Sequence, residues 1–314
     1  MAGPIRTSRA GQLRRRGLIR ARLGRALACC AALLGFAPAA AQADDSGLVW
    51  ALRGAHNTVY VAGSVHLLRD DGAALPAPLE RAYAEAETLL MEIDLDNLDP
   101  MAGARFTATH AVYGADTSLP QVLGEERWRA TVAAAERAGV APALLERFEP
   151  WAVALLLTVA QLQKEGLSPE AGVEQQLARR AAEDGKPIDG LETLEQQLQL
   201  FDSLSPALQA RFLELTVAES DDLGAELDRI DSAWRAGREP ELAALLTREC
   251  ARFPELYASL VDARNAAWVA PIRAQLERRE DVLVVVGSLH LVGEQSVIAR
   301  LRAAGLDPVR VTAR

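Results

Sequence analysis

Two copies of one five-residue phrase stand out in this 314-residue chain: Gly63-Ser64-Val65-His66-Leu67 and Gly287-Ser288-Leu289-His290-Leu291. Each follows an apolar, β-branched run, Val59-Tyr60-Val61 in the first case and Val282-Leu283-Val284-Val285-Val286 in the second. A strand ending in Gly-Ser-x-His delivers an imidazole to the carboxyl edge of a sheet, where open α/β folds hold their ligands. A glycine three residues before the histidine lets the backbone turn sharply or approach a ligand closely. Imidazoles placed there can ligate a borderline divalent cation, or one of them can serve as general base. The chain has four histidines, and two of them occupy this same local frame more than two hundred residues apart. Strand capping alone does not call for that coincidence.

Glu92 is the next candidate. It lies in Leu89-Leu90-Met91-Glu92-Ile93, and a carboxylate in a buried strand is costly unless it is paired or ligated. Together with His66 and His290 it would complete a set of two histidines and one carboxylate, a catalytic metal site with open positions. The plain alternative is that Glu92 merely begins the solvated acidic loop of Asp94, Asp96 and Asp99. Glu192 closes a predicted short strand, Pro187 to Glu192, just before Thr193-Leu194-Glu195-Gln196, which has the form of a capping box. That puts it at a strand-to-helix junction, although helix starts attract acids for electrostatic reasons as well. Arg264-Asn265 precedes the last apolar strand; an arginine there could clamp a carboxylate or steady an oxyanion, and an asparagine could orient water or a carbonyl. By spacing alone, a surface helix is the better account of that pair.

The elements that must position these residues follow from the hydrophobic pattern. Leu48 to Arg53 and Thr58 to Ala62 predict two strands joined by a turn, Pro76 to Glu87 a helix, and Thr88 to Leu95 a buried strand, which has the length of a βαβ unit. From about 124 to 280 the pattern is helical, broken near Gly237, Pro240 and Pro254. Its longest apolar stretch, Trp151 to Val159 with Leu162, predicts a buried helix far short of a membrane span. Asp281 to Val286 predicts the last core strand, Glu294 to Ala304 a helix and Pro308 to Thr312 an edge strand. Neither end of the chain has enough strands to bury two sheet faces, so the two ends should share one sheet. The fold class expected is α/β (α+β): a central mixed sheet built from N- and C-terminal βαβ-like units, with a large helical region between them.

Residues 1–43 have the form of an export signal. Eight arginines and no acid precede or border a short apolar core from Ala26 to Ala40, and Ala41-Gln42-Ala43 fits a small-x-small cleavage pattern. The expected mature domain is 44–314, periplasmic or secreted, with no stable membrane span. Without those eight arginines the net charge moves from −9 to −17, which disfavours nucleic acid as a partner. Cys250 is then the one remaining cysteine, so the fold must rest on its apolar core. His-Glu-x-x-His, Cys-x-x-Cys, Gly-x-Ser-x-Gly and the phosphate-cradling Gly-x-x-x-x-Gly-Lys are all missing from the sequence.

From Leu48 to Val311 the chain resembles the TraB/GumN family, whose wider group includes the Tiki metalloproteases and, more remotely, the erythromycin-esterase and ChaN-like fold. The family's two Gly-x-x-His motifs fall on Gly63 to His66 and Gly287 to His290, its strand-end glutamate on Glu92, and its Pro-Trp on Pro150-Trp151, preceded here by Glu149 in place of a basic residue. Its middle falls on Gly172-Val173-Glu174, Gly185-Lys186-Pro187, Leu191-Glu192-Thr193 and Gln197-Leu198, with Glu174 where an aspartate is usual. Arg264-Asn265 with Trp268 matches its Arg-Asn motif. The Tiki branch implies a manganese or cobalt protease with His66, Glu92 and His290 as ligands; zinc also suits such donors. The esterase branch implies related residues working without an obligatory metal. Three expectations result: an exported metal-dependent hydrolase of peptides or small proteins, a metal-independent esterase-type hydrolase with His66 as base, or a periplasmic protein that binds a metal, haem or peptide without turnover. Substrate and oligomeric state are not legible in the sequence.

Overall fold

Val282 to Val286 offers no polar face to water, so the strand it forms has to be covered on both sides. In the computed structural model, which describes residues 46–219, 223–252 and 254–312, that strand lies inside a six-stranded sheet with every residue buried. The expected signal segment 1–43 and its cleavage point after Ala43 lie outside the described residues. The strands are β1 (Val49–Arg53), β2 (Thr58–Ser64), β3 (Leu68–Arg69), β4 (Thr88–Ile93), β5 (Leu167–Ser168), β6 (Ile188–Glu192), β7 (Val282–Gly287) and β8 (Val309–Arg310). The main sheet runs β6-β4-β7-β2-β1-β8, while β3 and β5 pair separately. β6, β4, β7 and β2 are mutually parallel, and β1 is antiparallel to both β2 and β8, so the sheet is mixed.

The two ends of the chain do share this sheet, as the strand count required. β2 and the helix Ala77–Glu85 lead to β4, but β4 does not pair with β2: β7 lies between them. The N-terminal unit therefore leaves a gap one strand wide, which the C-terminal strand fills. Its six buried residues, at roughly 1.5–3 kcal/mol for each fully buried Val or Leu side chain, tie the two ends together. In the register, Gly63 faces Val286 and Ser64 faces Gly287. The repeated phrases thus stand side by side on adjacent parallel strands, and all four parallel strands end at one edge.

The middle of the chain is helical as expected, and the short strand expected over Pro187 to Glu192 forms as β6 and joins the sheet. The helix Pro150–Lys164 buries Trp151, Val153, Ala154, Leu157 and Leu162, whereas Leu156 and Val159 are exposed. The stretch expected to be wholly buried is therefore amphipathic. The break expected near Gly237 and Pro240 falls between the helices Leu223–Arg235 and Glu239–Arg252, with Pro240 in the first turn of the second. Among the described residues, no helix is long and apolar enough to cross a membrane.

Candidate active site

At the carboxyl edge, β2 delivers His66, β4 delivers Glu92, β6 ends on Glu192 and β7 leads through a short 3-10 turn to His290. The distances show how closely they gather. A methyl group added at Gly287 would lie 3.3 Å from His66 Nε2, 3.4 Å from Glu92 Oε1 and 3.5 Å from His290 Cδ2. Three side chains remote in sequence thus face the same bare Cα.

Each imidazole is fixed through its other nitrogen. His66 Nδ1 lies 2.7 Å from Glu174 Oε1, and the Ser64 hydroxyl donates to the same oxygen. His290 Nδ1 donates to Asn265 Oδ1 at 2.6 Å, while Asn265 Nδ2 donates to the Gln295 carbonyl at 2.9 Å. This anchoring leaves both Nε2 edges for the site. Trp268 packs against His290 with ring centroids 4.6 Å apart.

The surroundings of the two histidines differ sharply. The His290 side chain is 9% exposed and that of His66 is 55% exposed. Burial pushes the His290 pKa down to about 4, which keeps the ring neutral. The Glu174 carboxylate pulls the His66 pKa upward against desolvation. Since more than half of His66 meets water, solvent screens part of that attraction.

Arg264 is the electrostatic hub. Its Nη2 donates to Glu92 Oε2 at 2.6 Å and also to Glu192 Oε1, its Nε donates to Glu192 Oε1 at 2.9 Å, and its Nη1 lies 3.2 Å from His290 Nε2. A six-residue π-helix, Ala258–Ala263, runs directly into it, a local widening of helix geometry common at functional sites. Glu92 accepts further bonds from the Gly287 N–H at 2.7 Å and from Gln197 Nε2 at 3.1 Å. Gln197 also donates to Glu192 at 2.8 Å. Burial would raise the Glu92 pKa, but His66, His290, Arg264 and the Gly287 N–H outweigh it and hold the carboxyl at about 2. It stays ionised at any ordinary pH.

Residues 48–310 match the model of the TraB/PrgY/gumN family. The chain belongs to this family. It is 28% identical to the uncharacterized protein YbaP of Escherichia coli (strain K12) over 243 residues, 77% of this chain and 87% of that protein. The YbaP of Shigella flexneri matches with the same identity and coverage. No solved structure matches.

In this TraB/PrgY/gumN chain the structure brings His66, Glu92, Glu192, Arg264 and His290 into one connected cluster. Asn265 is only 1% exposed and lies behind His290, so it reaches the site through that ring alone. Sequence reasoning passed over Glu174 and Gln197 as members of the site. Glu174 sits in the first turn of the helix Val173–Asp184, where an acid is ordinary. The signal that could have found it is the glycine two residues earlier. A Cβ on Gly172 would come within 2.1 Å of the His66 carbonyl oxygen, and the Val173 N–H donates to the Val65 carbonyl at 3.1 Å. Gly172-Val173-Glu174 thus clamps the loop that carries His66. Among the described residues, no three His, Cys, Asp or Glu side chains are placed, as they stand, to hold a metal ion together.

Proposed function

We propose that this chain is an exported metal-dependent hydrolase acting on peptides or small proteins, with its reaction centre at this sheet edge. The observation that carries the reading is the pair of anchored imidazoles whose opposite edges, with the Glu92 carboxylate, border the bare Cα of Gly287. Metal-binding histidines characteristically donate their second N–H to an oxygen acceptor, which fixes tautomer and ring orientation. Two of the three donors suit a divalent cation as they stand, since His290 is neutral and Glu92 is ionised; His66, whose pKa Glu174 raises, would give up its Nε2 proton to bind one. They are not yet closed on one, because Arg264 Nη1 occupies the lone pair of His290 Nε2. His66, Glu92 and His290 would be the ligands, and the likeness to Tiki metalloproteases points to manganese or cobalt. Bound there, such a cation would polarise a scissile carbonyl and lower the pKa of a bound water toward neutrality.

The remaining roles belong to the chain itself. With a pKa of about 2, Glu92 is too weak a base to take a proton from water and acts as a fixed negative charge. Without a cation, His66, backed by Glu174 and open to solvent, is the group that can move a proton; as a ligand it would hold the cation through Nε2 and leave that role. Arg264 balances Glu92 and Glu192 and brings positive charge next to the reacting edge, where a developing oxyanion would need it. Asn265 and Gln197 are positioning residues, acting on His290 and on the two carboxylates respectively.

Metal analysis of freshly purified wild type and of His66→Ala/His290→Ala tests the ligand assignment, which equal metal content in the two would remove. Dialysis against chelator should abolish cleavage of a peptide mixture, and Mn²⁺ or Co²⁺ should restore it. The 2.7 Å His66–Glu174 contact favours a second reading, metal-independent hydrolysis with that pair as general base. Chelator-resistant cleavage that is lost in His66→Ala would establish the second reading in place of the first.

A further inference from the structure

A cavity of about 230 Å³ opens beside the exposed face of His66. Its reactive end is formed by His66, Glu92 and Glu174; its walls are Met91, Ile93, Leu95 and Pro169, with the amides of Gln175 and Gln197 completing the lining. Sites that enclose a whole small ligand run to about 300–1,000 Å³, so this cavity is too small for a complete drug-sized molecule. Its size suits one side chain of a longer chain that lies across the edge. The walls narrow the choice further. Gln197 is already committed to Glu92 and Glu192 and Gln175 is exposed to solvent, so a side chain held among the four apolar residues gains chiefly by burying apolar surface. The carboxylates of Glu92 and Glu174 at the reactive end repel an acidic side chain. Both nearby cations are already committed, Arg264 to Glu92 and Glu192 and the protonated His66 to Glu174. A basic side chain would find negative charge, but only at the expense of ion pairs the site already makes.

We infer that this cavity, walled by Met91, Ile93, Leu95 and Pro169 next to His66, is a specificity pocket that takes one medium-sized aliphatic side chain, of leucine, isoleucine or methionine, adjacent to the bond that is cleaved. The inference rests on the hydrolytic reading given above and deepens it by naming the substrate class: peptides with an aliphatic residue at the cut. Leu95 lies just past the end of β4, is only partly buried and packs against the main core, so it is the wall residue that can be changed with least damage to the fold. Burying a leucine rather than an alanine side chain removes several methylenes from water, each worth roughly a factor of four in binding. Discrimination of tenfold or more between leucine and alanine follows.

The purified metal-loaded protein is incubated with a degenerate decapeptide library, and the cut bonds are read by mass spectrometry. The expected result is a single position next to the cut enriched at least tenfold in Leu, Ile or Met over Ala, Asp and Asn. Leu95→Trp, which fills the cavity, should bring kcat/KM for a leucine substrate down toward that of its alanine counterpart. Cleavage with no residue preference, or with the leucine-to-alanine ratio unchanged in Leu95→Trp, overturns the pocket and leaves the hydrolase intact. A binding measurement separates the opposite case. N-acetyl-leucinamide should shift the His66 ring resonances of the metal-free protein at concentrations where N-acetyl-alaninamide does not. If no peptide is cut but the leucine amide binds selectively, the hydrolytic reading fails while the aliphatic pocket stands. Equal response to the two amides refutes the pocket whether or not any peptide is cleaved.

Discussion

Replacing Arg264 with methionine tests the electrostatic design of this site most directly. Methionine keeps much of the aliphatic stem, so the packing term stays small, and the change is chiefly the loss of one guanidinium. That guanidinium is 13% exposed and serves Glu92 and Glu192, whose side chains are 8% and 12% exposed. It also lies over the Trp268 ring at 4.6 Å. Removing one partner from a buried ion pair typically costs about 3–5 kcal/mol, because the remaining charge stays buried without compensation. At about 2–4 °C per kcal/mol for a chain of this size, the melting temperature should fall by roughly 10 °C. Urea unfolding of the metal-free proteins at pH 7 measures the loss directly. Adding Glu92→Gln to Arg264→Met removes one of the stranded charges and should recover about 2 kcal/mol of it. The pH dependence carries the same signature. In wild type the depressed Glu92 pKa contributes stability that is fully present above pH 4.5 and is lost as pH falls through about 2. Without Arg264 the Glu92 pKa rises, so the deficit of the variant should narrow as pH drops below 4.5. A variant within 1 kcal/mol of wild type at pH 7, or a deficit that Glu92→Gln fails to relieve, would refute the charge balance described here.

Two further substitutions test the parts around it. Glu174→Gln keeps an oxygen to accept the His66 Nδ1–H but removes the charge, so in metal-free protein the His66 pKa measured by NMR should fall toward 6.5; an unchanged titration would sever the pair. Because that pKa is raised in wild type, to about 9, and that of Glu174 is lowered from 4.5, the stability advantage of wild type over Glu174→Gln should be complete between pH 4.5 and 6.5, disappear as pH rises through 9 and be lost again in acid as Glu174 protonates. Gly287→Ala places a methyl group against His66, Glu92 and His290 at 3.3–3.5 Å; metal content and peptide cleavage should drop at least tenfold, with a stability cost of about 1–3 kcal/mol for overpacking. Full activity in Gly287→Ala would show that the space in front of that Cα is not where the chemistry occurs.

What could be read from the sequence follows the reach of each physical signal. The strands and their Gly-Ser-x-His ends are visible because β-branched runs and a terminal glycine act locally, over five or six residues. The capping box at Thr193 and Gln196 is equally local, and it forms with both of its hydrogen bonds. The insertion of β7 between β2 and β4 leaves no such trace, because it depends on two faces meeting after more than two hundred residues of intervening chain. Arg264 and Asn265 illustrate the same limit from the side of function. As a dipeptide they look alike, two polar residues on a helix, yet the fold gives them separate tasks. Arg264 reaches forward to two carboxylates, while Asn265 is buried behind His290 and fixes its tautomer.

Glu174 is the instructive miss, because its environment was partly encoded. An acid in the first turn of a helix has an ordinary explanation in the helix dipole, and no count of charges separates that case from a functional one. Gly172 does separate them. Its φ of −59° is open to any residue, so backbone freedom is not what requires glycine there. The close approach of the His66 carbonyl is what requires it. A glycine with unremarkable torsions marks a place where two segments touch. Here the segment it admits carries the carboxylate that holds His66 in place, so the clamp on the loop and the partner of the histidine are a single structural element.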